Sequence, residues 1–380
     1  MYTAEEVKSW LKPALKCDFS VTCVRPSEKG EGYMGDILFV QTSGALHLDL
    51  VLKCSKRSQQ LRQTLPVQHC FENEIHFYDT ILPAFARFQR SKNVSAFDSV
   101  PEYFGSFTSD HFEVVILENL KSSGFQLHDK TKALSRDRLE LVLKEYGKFH
   151  AISAVMQAQD ANFSKLVNGM LNVWEEFAEK TDAVQFFGAP IDEICNVLSP
   201  ELAEKLRQFK TQINYILKDL RNAESFKVVT HGDCWSNNFM FKGSEVKILD
   251  WQTARFCNPA ADLSYFIYAC ASEADLGEFG DLLKVYYRSF CEFGQLLGCD
   301  LGASYGFDQF VGDFKVFGKY GLLITLLAVK VALSEKEEAP DFAETAADFG
   351  NTFGYKNRNQ KELKERISYV VAHAAGFNIL

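Results

Sequence analysis

Residues 226–252 read FKVVTHGDCWSNNFMFKGSEVKILDWQ, and they interrupt a long stretch of helical periodicity. A short apolar strand leads into His231-Gly232-Asp233, and a loop then carries Asn238. The apolar FMF, a turn at Lys242-Gly243-Ser244 and VKIL predict a tight hairpin that ends at Asp250. Helical patterns flank this insertion on both sides. Upstream, Leu139, Val142, Leu143, Tyr146 and Phe149 repeat at the spacing of one buried helix face, with Ser135 as N-cap and Asp137 in the first turn. Downstream, helical patterns continue to the C-terminus.

The first third of the chain differs. Residues 19–24, 36–42 and 46–54 carry strand patterns, with Ser43-Gly44 as the turn between the last two. A helix is expected over residues 67–82, ended by Pro83, and then strands near 103–108 and 112–117 around a turn at Ser109-Asp110. The expected fold class is therefore α+β. A small antiparallel β-rich part spans residues 1–118, and a larger, mainly helical part with an embedded hairpin spans 119–380. The boundary falls in ENLKSSG.

Composition narrows the function. A net charge of −9 argues against a partner in nucleic acid or an anionic membrane. The opening MYTAEEVKSWLKPAL lacks a basic segment followed by an apolar core and reads as a short amphipathic helix instead of a signal peptide. The longest apolar run, residues 320–333, falls short of the ~20 residues of a membrane span and contains Lys330, so it is expected to be a buried helix without membrane insertion. The 10 cysteines are scattered and form no C-x-x-C pair. Free thiols and a cytoplasmic location are expected, with no obligate protein partner evident.

The insertion has the side chains that phosphoryl transfer from ATP requires. That chemistry needs a carboxylate to orient the acceptor hydroxyl, which suits Asp233, and oxygen ligands for Mg²⁺, which suit Asn238 and Asp250. The order H-x-D-x-x-x-x-N, hairpin, D is that of a kinase catalytic loop. Such a site also needs a lysine on a strand and a glutamate on a helix. In LHLDLVLKC, Leu46, Leu48, Leu50 and Leu52 share one face, so Lys53 and Val51 emerge on the other. Glu74 has Cys70, Phe71, Phe77 and Tyr78 as helical neighbours and faces inward, whereas Glu72 has Gln68 and His76 and faces solvent. A buried carboxylate needs a cation, which makes Glu74 the expected partner of Lys53.

The sequence GEGYMG, residues 30–35, matches the dinucleotide fingerprint G-x-G-x-x-G. That fingerprint needs a helix directly after it. A strand pattern follows here, so Gly30, Gly32 and Gly35 read as a loop over nucleotide phosphates.

THGDCWSNNFMF with ILDWQ, FENEIHFYDTILP, VILENL and GKFHA resemble the ecdysteroid kinase-like family, within the choline kinase and aminoglycoside phosphotransferase superfamily. The resemblance implies a two-lobed, protein-kinase-like fold that phosphorylates a small-molecule hydroxyl with ATP and Mg²⁺. It implies Asp233 as catalytic base, Asn238 and Asp250 as metal ligands, and Lys53 with Glu74 as the phosphate anchor. VILENL, with Glu118 and Leu120, would be the hinge that meets adenine, and Asp262 would brace the catalytic loop. Two departures stand out. Gly35 replaces a serine common in relatives, which implies a looser lid. Gln252 stands where choline kinases carry a second acid, which bears on whether a second metal is held. Gly232 in place of the arginine of H-R-D, and the lack of an A-P-E segment, weigh against a protein kinase.

The expected acceptor is a steroid or other lipophilic alcohol, with a xenobiotic or choline-like alcohol as alternatives. The aromatic stretches 265–270, 285–294 and 305–321 are expected to be mostly core, with some residues lining a pocket. A nucleotide-binding pseudokinase scaffold is a competing class. A cysteine hydrolase using Cys234 and His231 is a remoter one.

Overall fold

The computed structural model describes residues 2–27, 34–219, 224–335, 337, 338, 340 and 342–380. The predicted loop glycines Gly30 and Gly32 lie outside the described residues.

Thr3 starts the first helix, Ala4–Leu15, through a reciprocal capping box. Its hydroxyl accepts from the Glu6 N–H at 3.2 Å, and its own N–H donates to the Glu6 carboxylate at 2.9 Å. Val7, Trp10 and Leu11 recur at helical spacing and are buried. They pack on one face of a five-stranded antiparallel sheet formed by β1 (Phe19–Pro26), β2 (Gly35–Gly44), β3 (Asp49–Ser55), β4 (Tyr103–Ser109) and β5 (Phe112–Glu118), in the order β1-β2-β3-β5-β4. In β3, Leu50 and Leu52 point into this layer, which turns Val51 and Lys53 to the other face. The strand begins at Asp49, later than expected. Leu46 and Leu48 instead serve the turn, where the Thr42 hydroxyl donates to the Leu46 carbonyl at 3.0 Å.

Pro83 does not end the helix that starts at Val67. The chain runs through Val67–His76, a π-helical turn at Phe77–Ile81, and a second α segment, Leu82–Ser91. Pro83 sits in the first turn of that second segment, where a missing N–H costs nothing. The π turn places Phe77 flat against Trp251, with ring centroids 3.9 Å apart and planes 4° from parallel.

The helical part is built on Arg136–Gln159, Ala260–Cys270, Phe279–Leu296 and Phe307–Leu333. Ser135 has the backbone of an N-cap but makes no side-chain capping bond. The embedded segment forms β7 (Val228–Thr230) and the hairpin β8–β9 (Phe239–Lys242 and Glu245–Ile248), closed by Gly243 at φ +55°. Two short strands escape prediction. β6 (Gln126–Leu127) pairs with β8, and β10 (Arg255–Cys257) pairs with β7. Phe307–Leu333 is, among the described residues, the one helix long and apolar enough to cross a bilayer, and it lies mostly inside the fold.

The fold behind the loop that carries Asp233 depends on a close helix crossing. A methyl group added at Gly321 would lie 2.1 Å from the Ser264 hydroxyl and 2.3 Å from the Tyr265 nitrogen, so Phe307–Leu333 meets Ala260–Cys270 backbone to backbone. Gly321→Ala is expected to destabilise the protein by ~1–3 kcal/mol through overpacking, read as a lower midpoint in urea unfolding.

Candidate active site

Eight of the predicted site residues line one cleft of about 550 Å³: Gly35, Lys53, Glu74, Glu118, Leu120, Asp233, Asn238 and Asp250. Lys53 stands at its centre. Its ammonium lies 2.7 Å from Glu74 Oε2 and 2.5 Å from Asp250 Oδ1, with Gln252 Oε1 at 3.5 Å. Burial alone would lower the Lys53 pKa, but Asp250 and then Glu74 outweigh it and hold the ammonium above its ordinary range. Glu74 is 1% exposed, and its other oxygen accepts from the Trp251 N–H at 3.4 Å. Glu72 faces outward and bonds Gln68 at 2.7 Å. The inward-face argument thus separates the two glutamates correctly.

Asp233 enters the cleft from a loop held from behind. Gly232 adopts φ +86°, and a Cβ there would meet the Thr253 carbonyl at 2.4 Å, so glycine is required before Asp233. The buried Asp262 carboxylate accepts the His231 N–H at 2.6 Å and the Gly232 N–H at 2.9 Å. Burial would raise the Asp262 pKa, yet the His150 hydrogen bond and the neighbouring histidines and amides bring it below the usual value. Tyr320 completes the support by donating to the Gly232 carbonyl at 2.9 Å.

The Asp233 carboxylate accepts from Tyr265 at 3.1 Å on one oxygen and from Asn238 Nδ2 at 2.8 Å on the other. Burial, followed by the charge of Asp250, pushes its pKa up to about 7, against the pull of Asn238, Tyr265 and Lys53. Asp250 has φ +65°, a left-handed conformation that aspartate tolerates better than most residues.

The oxygens present suit a hard cation. The Asn238 amide nitrogen is committed to Asp233, which leaves its Oδ1 for a ligand, and Lys53 engages only Oδ1 of Asp250. Among the described residues no three His, Cys, Asp or Glu side chains form a closed cage. Mg²⁺ needs none, because it binds through one or two carboxylates together with substrate phosphates. Asn238 and Asp250 therefore fit Mg²⁺.

Several partners of the site had no local signature. Asn73 donates to the Gln252 and Ala254 carbonyls at 3.1 and 2.6 Å and accepts the Leu171 N–H at 3.1 Å, tying its helix to the segment after Asp250. Tyr265 and Tyr320 reach the loop from distant helices.

A Cβ at Gly35 would lie 2.6 Å from the Cys54 carbonyl and 2.9 Å from the Phe71 ring, so a serine there would need its neighbours to shift. Cys234 is fully buried and burial pushes its thiol well up, which disfavours the thiolate a cysteine hydrolase needs. The aromatic stretches are mostly core, as Tyr286, Phe290, Phe310 and Phe314 show. A second, apolar cavity of about 180 Å³ opens beside Asp233, and of those stretches only Tyr265 borders it. Its aromatic walls are Trp174, Phe177, Phe186, Trp235, Phe349 and Phe353, with Phe342 behind.

A family model described as the ecdysteroid kinase-like family matches residues 29–299, more than half of the chain. The chain belongs to the ecdysteroid kinase-like family. Its class is thus that of small-molecule phosphotransferases with a kinase-like fold. The structure is similar to the GDP complex of wild-type aminoglycoside 2′-phosphotransferase-IIIa, with 13% identity, a TM-score of 0.48, and 99% of each chain covered. It is similar to choline kinase from Cryptosporidium parvum, with 12% identity, a TM-score of 0.41, and 87% of each chain covered. It is also similar to ethanolamine kinase from Plasmodium vivax, with 11% identity, a TM-score of 0.40, and 86% of this chain and 82% of that one covered. No curated protein sequence matches the chain.

The raised Asp233 pKa has a measurable consequence in metal-free protein. Its folded value, about 7, lies above the ordinary value of 3.8, so the native state keeps a proton that the unfolded chain releases. Stability should fall as pH rises from about 4 to 7 and then level off. Asp233→Asn cannot ionise, so its stability relative to wild type should improve by about 2–3 kcal/mol between pH 5 and pH 8, measured by denaturant unfolding at the two values.

Proposed function

We propose that the protein is an ATP- and Mg²⁺-dependent kinase that transfers the γ-phosphoryl group to a hydroxyl of an ecdysteroid-like steroid or another lipophilic alcohol. One observation carries the reading: Asp233 borders both the polar cleft that holds Lys53 and Asp250 and the apolar cavity beside it. An acceptor lying in the apolar cavity can therefore present its hydroxyl to Asp233 at the edge of the phosphate cleft.

In this reading residues 1–118 form the lobe that covers the nucleotide, and residues 119–380 form the catalytic and acceptor lobe. Adenine lies against Val51 and Leu120, at the end of β5 where Glu118 stands. Gly35, at the start of β2, borders the part of the cleft assigned to the phosphates. Lys53, held by Glu74, binds the α- and β-phosphates. Asn238 and Asp250 would hold Mg²⁺, which would neutralise charge on the phosphates.

Asp233 accepts the hydroxyl proton as the alcohol oxygen bonds to the γ-phosphorus. The bond from that phosphorus to the bridging oxygen breaks, and ADP leaves with its electron pair. Burial raises the proton affinity of the Asp233 carboxylate, which suits it to accept a proton. Tyr265 and Asn238 hold its two oxygens in place for that transfer. The ten cysteines, all unpaired, support a cytoplasmic setting.

Two variants separate the roles. Asp233→Asn should lower phosphate-ester formation by ~10²–10⁴-fold while leaving ATP affinity within a few-fold. Lys53→Met should weaken ATP binding itself. Incubation with ATP, Mg²⁺ and a panel of ecdysteroids, plant phenolics and choline, with phosphate esters detected by mass spectrometry, tests turnover, and calorimetric titration of each variant with ATP tests binding. Full turnover by Asp233→Asn would overturn the mechanism.

A further inference from the structure

The apolar cavity beside Asp233 is built by two different parts of the chain. Its near wall, with Val173, Trp174, Phe177 and Phe186, lies within residues 29–299, the range of the family match. Its far wall, with Ile324, Leu327, Phe349 and Phe353, lies beyond that range. Lys53, Glu74, Asp233, Asn238 and Asp250 all fall inside it.

The two walls interlock through their rings. Phe186 stacks on Phe349 at 5.1 Å with planes 9° apart, and it meets Phe353 edge-on at 5.1 Å. Phe177 meets Phe349 edge-on at 6.1 Å, and Phe342 braces Phe349 from behind at 5.1 Å. Backbone and amide bonds fix the far wall at both ends. The Thr64 hydroxyl donates to the Ala346 carbonyl at 3.2 Å, and Gln185 Nε2 donates to Asn351 Oδ1 at 2.8 Å. Phe349 and Phe353 are therefore held at set positions against the near wall.

The cavity's charge is as informative as its shape. Among the described residues that border it, Asp233 is the only charged one. Both Asp233 oxygens already accept hydrogen bonds, from Tyr265 and Asn238. A cationic acceptor would find no other carboxylate, and pairing it with Asp233 would take that group from the hydroxyl. An uncharged apolar ring system packs against the aromatic walls and leaves no charge unpaired.

We infer that Phe349 and Phe353 are the specificity-determining residues for the acceptor, and that they select an uncharged alcohol on an apolar ring system over an amino alcohol. This inference rests on the kinase reading above. It adds that acceptor choice is made by a C-terminal segment that lies beyond the family match.

The test measures binding, so it does not depend on turnover. Full-length protein is titrated with 2-naphthol by fluorescence, and with choline and ATP by calorimetry. Wild type should bind 2-naphthol and show no choline binding. Phe349→Leu and Phe353→Leu keep an apolar side chain while removing the ring. Each should weaken 2-naphthol at least tenfold and leave ATP affinity within twofold. Unchanged 2-naphthol affinity in both variants, choline binding tighter than 2-naphthol, or no 2-naphthol binding by wild type would each overturn the inference. Should a variant fail to fold, shown by lost ATP binding, the wild-type ranking of 2-naphthol against choline still decides. Absence of ATP binding by wild type is a different result, and it would remove the kinase reading itself.

Discussion

The buried ammonium of Lys53, gripped by Glu74 and Asp250, is the interaction on which the rest of the site depends. Each carboxylate comes from a different part of the fold. Glu74 comes from a helix packed under the sheet and Asp250 from the end of the embedded hairpin. A lone charge at any of these positions would be costly to bury. Together they compensate one another, which draws sheet, helix and hairpin to one point. Phe77 stacked on Trp251 and Asn73 bonded to the backbone after Asp250 reinforce the same junction with apolar and neutral contacts.

Around that point the protein divides its labour by polarity. The cleft on one side of Asp233 holds Lys53, Asn238 and Asp250, whose chemistry suits phosphate and a hard cation. The cavity on the other side is walled by aromatic and aliphatic groups. Asp233 is the boundary residue, and its raised pKa follows from that position, because it is partly withdrawn from water and lies near a second carboxylate.

Much of this was legible in the sequence wherever local periodicity carried it. Alternation in β3 turned Lys53 away from the leucines, and helical spacing chose Glu74 over Glu72. The spacing from His231 to Asp250 brought Asp233, Asn238 and Asp250 to one cleft. Features set by long-range packing left no such trace. Strands of two and three residues, β6 and β10, are too short to show a period. Pro83 looked like a terminator because nothing local announces a π turn. Crowding at Gly35 depends on Cys54 and Phe71 arriving from elsewhere. The cavity walls come from residues near 173–186, which did not stand out, and 324–353, whose first part stood out only as a buried helix, because phenylalanines that line a cavity look the same in sequence as those that fill a core.

The loop that carries Asp233 lies on the wall of an open cleft, yet its backbone is anchored like a core strand. The amide protons of His231 and Gly232 point away from solvent into a fully buried carboxylate, which is itself paired with His150. Freeing either amide would strand Asp262, so these two protons cannot exchange through small local fluctuations of the loop. Their exchange with solvent deuterium would have to wait for an opening of the helical layer behind them. A segment that looks exposed from the substrate side would then report the stability of the protein's interior.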